Sequence, residues 1–157
     1  MAKGKQPRGD KILCPSVAEI SEETVAFAAI VPSRSGNPVV GYFNNPVSSE
    51  VASSLLANVN VEAGQIFRLA APCAEDKCKN FGNGSCQLST RIVESFSSNA
   101  VHVPPCSIRA SCRWWREHGS DICRKCAAVV SVDPRRPPEE RSVAEPQSTS
   151  CPDVASI

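Results

Sequence analysis

The sequence is poor in aromatic side chains and in histidine. Its 157 residues include five Phe, two Trp, one Tyr and two His. Burial must therefore depend on Val, Ala, Ile and Leu, and a small domain with so modest a core gains stability from metal or covalent cross-links. Because histidine is scarce, cysteine is the main source of metal ligands in this chain.

The chain also lacks a strong net charge and a long hydrophobic run. Its formal net charge of +1 gives no overall attraction to nucleic acid or to an anionic membrane. The longest apolar stretch, residues 25–31, is far too short to cross a bilayer, and residues 1–10 lack the apolar run of a secretory signal. These absences predict a cytoplasmic protein with no membrane partner. In that reducing compartment, cysteines favour metal binding or catalysis over disulfides.

Motifs of common enzyme classes are missing as well. The sequence has no phosphate-binding G-x-x-x-x-G-K-[ST] or G-x-G-x-x-G loop, no H-E-x-x-H and no G-x-S-x-G. His102 lies four residues before Cys106, but no orienting acid is identifiable beside such a pair. No catalytic residue is predicted, and the sequence favours a role other than that of an enzyme.

Hydrophobic periodicity predicts an α+β fold. A β-hairpin, helix and strand unit is expected over residues 12–70, followed over 71–132 by a cysteine-rich, mostly helix-and-loop metal-binding lobe that packs on it. The basic arm of residues 1–11 and the Pro- and Ser-rich tail of 133–157 have no core-forming pattern and are predicted to be disordered. Cys151 lies in that tail.

The first unit contains three predicted strands and one helix. The strands are expected at 24–31, 39–43 and 65–69; a turn at 33–38 joins the first two, and Asn44, Asn45 and Pro46 end the second. A helix capped by Ser48 or Ser49 is expected to run to about residue 58. Helical spacing predicts its buried stripe, which consists of Val51, Leu55 and Leu56.

The second unit is predicted to be helical around its cysteines. Helices are expected at 86–96 and 111–118, with Gly119 ending the second, and a further helical turn follows from residue 120. His118 is expected to face solvent at a helix end. The buried side of the first of these helices is predicted to consist of Leu88, Ile92, Val93 and Phe96.

Eight of the nine cysteines form two blocks of four. The first block has the spacing C-x4-C-x7-C, with the distant Cys14 as the most economical fourth ligand; His102 or a non-protein ligand is the alternative. Its four cysteines are Cys14, Cys73, Cys78 and Cys86. Gly82, Asn83 and Gly84 predict a tight turn that lets these thiolates converge.

The second block is more compact, with the spacing C-x5-C-x10-C-x2-C. Its four cysteines are Cys106, Cys112, Cys123 and Cys126. The last two form a C-x2-C pair, a spacing at which two thiolates easily share one ion. Cys112 and Trp115 lie three apart on a predicted helix and share a face, where the Trp could shield a metal centre from water. Ordinary core or interface packing is the more usual role of Trp114 and Trp115.

The spacings favour iron–sulfur clusters over zinc by a small margin. Structural zinc sites usually show paired C-x2-C knuckles or a Cys/His mixture, and this chain has a single C-x2-C pair. Iron–sulfur clusters, such as 4Fe–4S clusters, are commonly held by four thiolates and accept varied spacings. Disulfides, free thiols and cysteines buried as small hydrophobes remain alternatives.

These observations predict a cysteine-rich metalloprotein with one or two iron–sulfur clusters. It would act in electron transfer, in redox sensing or as an accessory to an enzyme, with a redox protein or enzyme as its partner. The alternative is a zinc-stabilised module that contacts nucleic acid or a protein without redox chemistry. Basic side chains beside two tryptophans would permit a nucleic-acid partner. The basic side chains are expected instead to offset the negative charge of thiolates. The residues concerned are Arg109, Arg113, Arg116, Arg124, Lys125, Trp114 and Trp115.

Overall fold

A computed structural model describes residues 11–31, 34, 39–96, 102–127 and 129. The elements in chain order are β1 (Leu13–Val17), β2 (Val25–Val31), β3 (Val39–Ser48), α1 (Ser49–Leu56), α2 (Ala63–Ile66), β4 (Phe67–Pro72), β5 (Phe81–Gly82), β6 (Ser85–Cys86), α3 (Gln87–Ser95), α4 (Arg113–His118) and α5 (Ser120–Cys126). Short 3₁₀ helices occur at Glu75–Lys77 and Arg109–Ser111. Antiparallel strands and separate helices confirm the predicted α+β class.

Several predicted segments lie outside the described residues. They are the basic arm before residue 11, all of the turn at 33–38 except Arg34, part of the loop after α3, and the tail of 133–157. None of the helices in the described part of the chain has the length and apolar content that a bilayer-spanning helix needs.

Four antiparallel strands form the main sheet in the order β1–β4–β2–β3. The central strand β4 is buried from Phe67 to Ala71, which includes the charged Arg68. The edge strand β1 was not predicted from the sequence. It carries Pro15, and a proline normally argues against a strand, although an edge strand tolerates it.

Strand β3 is longer than the sequence predicts. Asn44, Asn45 and Pro46 were expected to end it near residue 43, but it continues to Ser48. The pairing with β2 jumps between Ala28↔Tyr42 and Ala26↔Val47, so these residues form a bulge. Because β3 is an edge strand, it can hold a proline and unpaired residues without breaking the sheet.

Helix α1 begins where predicted but turns a different face to the core. The backbone N–H of Val51 donates to Ser48 Oγ at 3.3 Å, which confirms the N-cap. The predicted stripe is wrong at Val51 and Leu55, which are 51% and 61% exposed, while the small Ala52 is buried. Leu56, its third member, does pack against the core. A short side chain lets the helix lie close to the sheet, and this packing overrides the simple apolar pattern.

The third strand lies slightly later than predicted. Residues 63–66 form the short helix α2, with a capping box between Glu62 and Gln65, and β4 then runs from Phe67 to Pro72. Cys73 follows at once, and its backbone N–H donates to the Ile12 carbonyl oxygen at 2.8 Å. The end of β4 therefore positions the first cysteine of the C-x4-C run, as the sequence predicts.

Helices α3, α4 and α5 share one buried cluster. It contains Leu88 and Ile92 from α3, Trp114 from α4 and Ile122 from α5. Gly119 separates α4 from α5 with φ of +60°, a conformation that favours glycine. The predicted helices and their break are thus confirmed.

The prediction for His118 is wrong. Its ring is half-buried, and Nε2 lies 3.1 Å from Ser89 Oγ on the neighbouring helix α3. The reason is the packing of α3 against α4, which turns the last residue of α4 inward. A short sequence pattern could not indicate this contact between helices.

Candidate metal centre

The structure gathers the predicted cysteine ligands into two groups around the start of α4. Seven cysteines in the described part of the chain are free thiols. Three of them, Cys14, Cys73 and Cys86, belong to the first block. The other four make up the whole second block.

Pairing of β1 with β4 and the start of α3 bring three cysteines of the first block together. Cys14 pairs with Ala71 in the sheet, Cys73 follows two residues later, and Cys86 is the N-cap of α3. Burial raises the pKa of Cys14 to about 12; the backbone N–H of Ser16 lowers it, and the neighbouring thiols of Cys73 and Cys86 raise it further. The distant Cys14 therefore stands in one electrostatic group with two members of the C-x4-C-x7-C run.

Cys78 lies between the 3₁₀ helix and the β5–β6 hairpin. Its carbonyl oxygen accepts from the Phe81 N–H at 3.0 Å, and Phe81 pairs with Cys86 across the hairpin. The turn has Asn83 and Gly84 at positive φ, as the turn prediction requires. Cys78 is disulfide-bonded here, so its predicted role as a ligand stays a prediction for the reduced protein.

A carboxylate and a guanidinium support the first block. Glu117 on α4 accepts two hydrogen bonds from the Cys86 backbone N–H, at 3.0 and 3.1 Å, and one from Ser89 Oγ at 3.2 Å. Arg113 forms an ion pair with Glu75 at 2.7 Å and lies 3.7 Å from Glu117. Glu117 thereby fixes both Cys86 and Arg113 from α4.

Arg113 also interacts with a cysteine of the first block, Cys73. Burial lowers the pKa of the Arg113 guanidinium, but the Cys73 thiol, through its charge and a hydrogen bond, raises it, and so do Glu75 and Glu117. The net pKa is raised. Arg113 therefore remains a cation placed between one cysteine and two carboxylates.

The second block draws its four thiols from three chain segments. Cys106 lies in the loop after Pro104 and Pro105, and Cys112 is the N-cap of α4. Cys123 and Cys126 lie three residues apart in α5, so both are on one side of that helix. Interactions among the thiols act on the pKa of Cys106, Cys112 and Cys123, and Cys126 contributes to all three.

All four thiols of the second block line one small pocket of about 20 Å³ that is partly open to solvent. Aromatic and aliphatic side chains form the rest of its wall, among them Phe27, Trp114, Trp115 and Ile122. Trp114 is 1% exposed. Both tryptophans line the pocket, and Trp114 also packs in the core cluster of the helices; the shielding of a metal centre by tryptophan stays a prediction.

Burial raises the pKa values of three thiols of the second block, which favours their protonated form. It raises the pKa of Cys112 to about 12, against the lowering effect of the Trp115 and Trp114 backbone N–H groups. Burial also raises the pKa values of Cys106 and Cys123; the Ile108 N–H lowers the first, and a hydrogen bond from Arg109 lowers the second. Thiolates need a nearby cation to exist in this cavity.

Arg68 supplies a buried positive charge beside this cavity. It is 1% exposed, and its guanidinium donates to the Cys126 carbonyl oxygen at 2.5 Å and to the Pro15 carbonyl oxygen at 3.2 Å. It also lies 3.4 Å from Cys126 Sγ and stacks over the Phe27 ring at 5.4 Å. Within the described residues Arg68 forms no ion pair with a carboxylate.

Two further polar groups of the cavity wall lack ordinary partners. Tyr42 Oη and Trp114 Nε1 are buried, and neither has a nitrogen or oxygen hydrogen-bond partner among the residues described. Burial raises the pKa of the Tyr42 hydroxyl, and the neighbouring Cys126 raises it further. The Cys126 side chain is the hydrogen-bond partner of the Tyr42 hydroxyl, whereas Trp114 Nε1 is a buried donor, and buried donors normally find an acceptor.

Sequence reasoning missed Arg68, Tyr42 and Glu117. Arg68 had a signal, since it is the single charge within the apolar run QIFRLAAP, and a charge inside a buried strand needs a partner. Tyr42 and Glu117 had no comparable signal. His102, the alternative fourth ligand of the first block, is exposed.

Across the described residues, no group of three or more His, Cys, Asp or Glu side chains is arranged to hold a metal ion. The four thiols of the second block line a pocket, and the three free thiols of the first block lie near the start of α4. No known protein family matches this chain, and no curated protein or solved structure matches it.

Proposed function

We propose that this protein is a small electron carrier that binds iron–sulfur clusters through its cysteines. The second block is the principal site, with Cys106, Cys112, Cys123 and Cys126 as ligands. The first block is the second site. A redox protein or an enzyme would be the partner that exchanges electrons with it.

The observation that carries this proposal is the cavity lined by the four thiols of the second block with Arg68 beside it. A buried arginine without a carboxylate is costly, because its charge loses hydration and gains no counter-ion. Four thiolates on a metal centre leave net negative charge, which would supply that counter-ion. The same centre would offer sulfur acceptors to Tyr42 and Trp114.

The form of the site favours a cluster over a single zinc ion. Structural zinc sites usually show paired C-x2-C knuckles or a Cys/His mixture, and the second block has one C-x2-C pair and no histidine ligand. In a cluster each cysteine binds a different iron atom, so the thiols stand around a space that inorganic iron and sulfide fill. The four thiols of the second block do line one pocket, and that pocket of about 20 Å³ would have to widen to take a cluster.

The surroundings also suit one-electron chemistry. Hydrogen bonds to sulfur, nearby charge and exclusion of solvent set the reduction potential of a cluster. All three factors have a source here. Buried Trp114 excludes solvent, backbone N–H groups at the start of α4 bond to the Cys112 sulfur, and the guanidinium groups of Arg68 and Arg109 supply nearby charge. None of these features is needed to keep a zinc ion in place.

The arginines support a protein partner over nucleic acid. Arg109 donates to the Pro104 carbonyl oxygen, interacts with Cys123 and lies 5.2 Å above the Trp115 ring. Arg113 is held by Glu75 and Glu117. Side chains already engaged in this way are poorly placed to grip phosphates.

Metal and sulfide analysis tests the proposal. Protein purified without oxygen should be brown, with broad visible absorption, and should contain iron and acid-labile sulfide in equal amounts. Colourless protein with stoichiometric zinc and no sulfide would overturn the proposal and leave the zinc-stabilised interaction module. Iron without sulfide would also contradict it.

A further inference from the structure

We infer that Cys123 and Cys126 form a redox-active dithiol, which reduces disulfides of low molecular weight and closes to a disulfide itself. The pair acts in protein that holds no cluster, so this activity goes beyond the proposed function and does not depend on it. The dithiol transfers two electrons and needs neither a metal ion nor a pocket larger than the one that the two residues line.

The two thiols are held at a spacing that a disulfide can bridge. Both residues belong to α5 and lie three positions apart. Helical geometry places Cα atoms three residues apart at about 5 Å from each other, and disulfides join Cα atoms that are about 4.4–6.8 Å apart. Cys126 is the last residue of α5, so a small change in the final turn brings the two sulfur atoms together.

The pocket decides which disulfides can reach the pair. Cys123 and Cys126 both line it, together with apolar and aromatic side chains such as Ile108 and Trp115. It is partly open to solvent and has a volume of about 20 Å³, whereas one water molecule needs roughly 10–15 Å³ of such space. Only a small group can enter, which favours a disulfide of low molecular weight, such as oxidised glutathione, as the substrate.

A guanidinium group lies beside each thiol of the pair. Buried Arg68 lies 3.4 Å from Cys126 Sγ. Arg109 lies 5.2 Å above the Trp115 ring; burial raises the pKa of Cys123, and a hydrogen bond from Arg109 lowers it. Thiol–disulfide exchange passes through thiolates, and each guanidinium offsets the negative charge that its sulfur carries during the exchange.

The other two thiols of the pocket belong to separate elements. Cys106 lies in the loop after Pro105, and buried Cys112 is the N-cap of α4. Joining either of them to α5 would close a longer loop, and the entropic cost of closure rises with loop length. Cys123 and Cys126, three residues apart, therefore close in preference to the other pairs.

The surroundings of Cys123 and Cys126 give them different roles. Cys126 packs against the buried cluster of the three helices, and Arg68 lies against its sulfur. Cys123 belongs to none of the buried clusters among the described residues. Cys123 therefore attacks the substrate first, and Cys126 resolves the mixed disulfide.

The exchange balances in two steps. The Cys123 thiolate attacks one sulfur of the small disulfide, whose S–S bond breaks; a mixed disulfide forms, and the first product leaves as a thiolate and takes up a proton. The Cys126 thiolate then attacks the Cys123 sulfur, breaks the mixed disulfide and releases the second thiol product. The dithiol loses two electrons and two protons, and the substrate gains both.

Mass spectrometry of the full chain tests this activity. The protein is stripped of metal with a chelator, reduced, incubated with oxidised glutathione and alkylated. Trypsin then cuts after Arg124 and Lys125, which lie between the two cysteines. Only a disulfide keeps the two resulting peptides together, and we expect that linked pair from the wild-type protein.

Variants separate the roles of the two thiols. Cys126→Ser should retain glutathione on Cys123 as a stable mixed disulfide, which the wild-type protein releases. Cys123→Ser should take up glutathione at Cys126 several-fold more slowly. Arg109→Met should slow the first step several-fold and Arg109→Lys less, whereas Arg116→Met, at an exposed position of α4, should not change it.

The contrary outcomes are distinct. A disulfide from Cys123 or Cys126 to another cysteine, unlinked peptides, or glutathione that stays on Cys123 of the wild type would each overturn the inference. The linked peptides of the wild-type protein would support it even if Cys126→Ser failed to fold. Iron and sulfide in the native protein without this disulfide in the metal-free form would leave the proposed function alone intact, and the reverse pair of results would leave only the dithiol.

Discussion

The guanidinium of Arg68 lies 3.4 Å from the Sγ of Cys126 and donates to the carbonyl oxygen of the same residue at 2.5 Å. A charged side chain from the centre of the sheet thus meets a thiol from the last helix. The contact connects two parts of the chain 58 residues apart. It places a buried cation beside the second block.

The first prediction concerns that charge. Arg68→Met should make the cluster easier to lose, because the thiolates of the second block lose their buried counter-ion. The half-life of the visible absorption during exposure to a chelator should fall several-fold. Arg68→Lys keeps the charge and should lose less, and Arg116→Met on the exposed side of α4 serves as the control.

Unchanged retention of the cluster would contradict this role of Arg68. If Arg68→Met retained the cluster as long as wild type did, then compensation of thiolate charge would not be the role of Arg68. Arg68→Met also removes the donor of the Cys126 and Pro15 carbonyl oxygens, which costs about 1–3 kcal/mol for a buried acceptor, so urea denaturation of the metal-free variant is measured beside its cluster retention.

A second prediction concerns Cys112. Cys112→Ser should reduce the iron and sulfide content by about half and destabilise the protein, because metal binding and folding are coupled. Ser53→Ala, at an exposed position of α1, is the control and should leave the metal content unchanged. Full iron content in Cys112→Ser would remove Cys112 from the ligand set.

A third prediction concerns Glu117. Glu117→Gln replaces the acceptor of the Cys86 N–H and of Ser89 Oγ by an amide, and removes the charge that faces Arg113. We expect a loss of about 1–3 kcal/mol in the free energy of unfolding. The iron of the first block should also be lost sooner.

The control for this variant is Glu94→Gln, an exposed residue on α3. Urea denaturation of the metal-free proteins measures the stability, and iron release measures the effect on the first block. Equal stability and equal iron release in the two variants would contradict the role assigned to Glu117.

The fourth prediction concerns pH. Burial raises the pKa values of Cys14 and Cys112 from 9.0 to about 12, so the folded protein binds these protons more tightly than the unfolded chain does. Their contribution to stability is fully present below pH 9 and is lost as pH rises towards 12. Metal-free, reduced protein should therefore lose on the order of 1 kcal/mol per pH unit for each such thiol above about pH 9.

The urea midpoint measured from about pH 7 to pH 11 checks this dependence. Metal-free Cys112→Ser should show a shallower decline, since a serine hydroxyl does not ionise in that range. A midpoint that stays constant above pH 9 would contradict the burial of both thiols.

The sequence predicted those parts of the fold that local patterns determine. Helix α3 follows from the spacing of Leu88 and Ile92, and the break after α4 follows from Gly119, because each depends on neighbours in the chain. Strand β1 was missed because Pro15 hides it and its partner, β4, lies more than fifty residues away.

The candidate site also has some features that local sequence patterns predict and others that depend on contacts between distant elements. The cysteine spacing predicted two groups, and the structure brings Cys14 to Cys73 and places all of the second block on one cavity. The positions of Arg68, Tyr42 and Glu117 depend on contacts between distant elements, which spacing does not encode. The exposed Val51 and Leu55 had a helical pattern, but the packing of Ala52 on the sheet decided the buried face.

X-ray absorption at the iron edge is the most direct test of the central claim, that cysteine thiolates of this chain hold iron–sulfur clusters. For protein purified without oxygen, the account predicts iron surrounded by sulfur alone, with a second shell of neighbouring iron atoms. Iron bound by oxygen or nitrogen without iron neighbours would contradict it. So would a sample without iron in which zinc is surrounded by four sulfurs at about 2.3 Å.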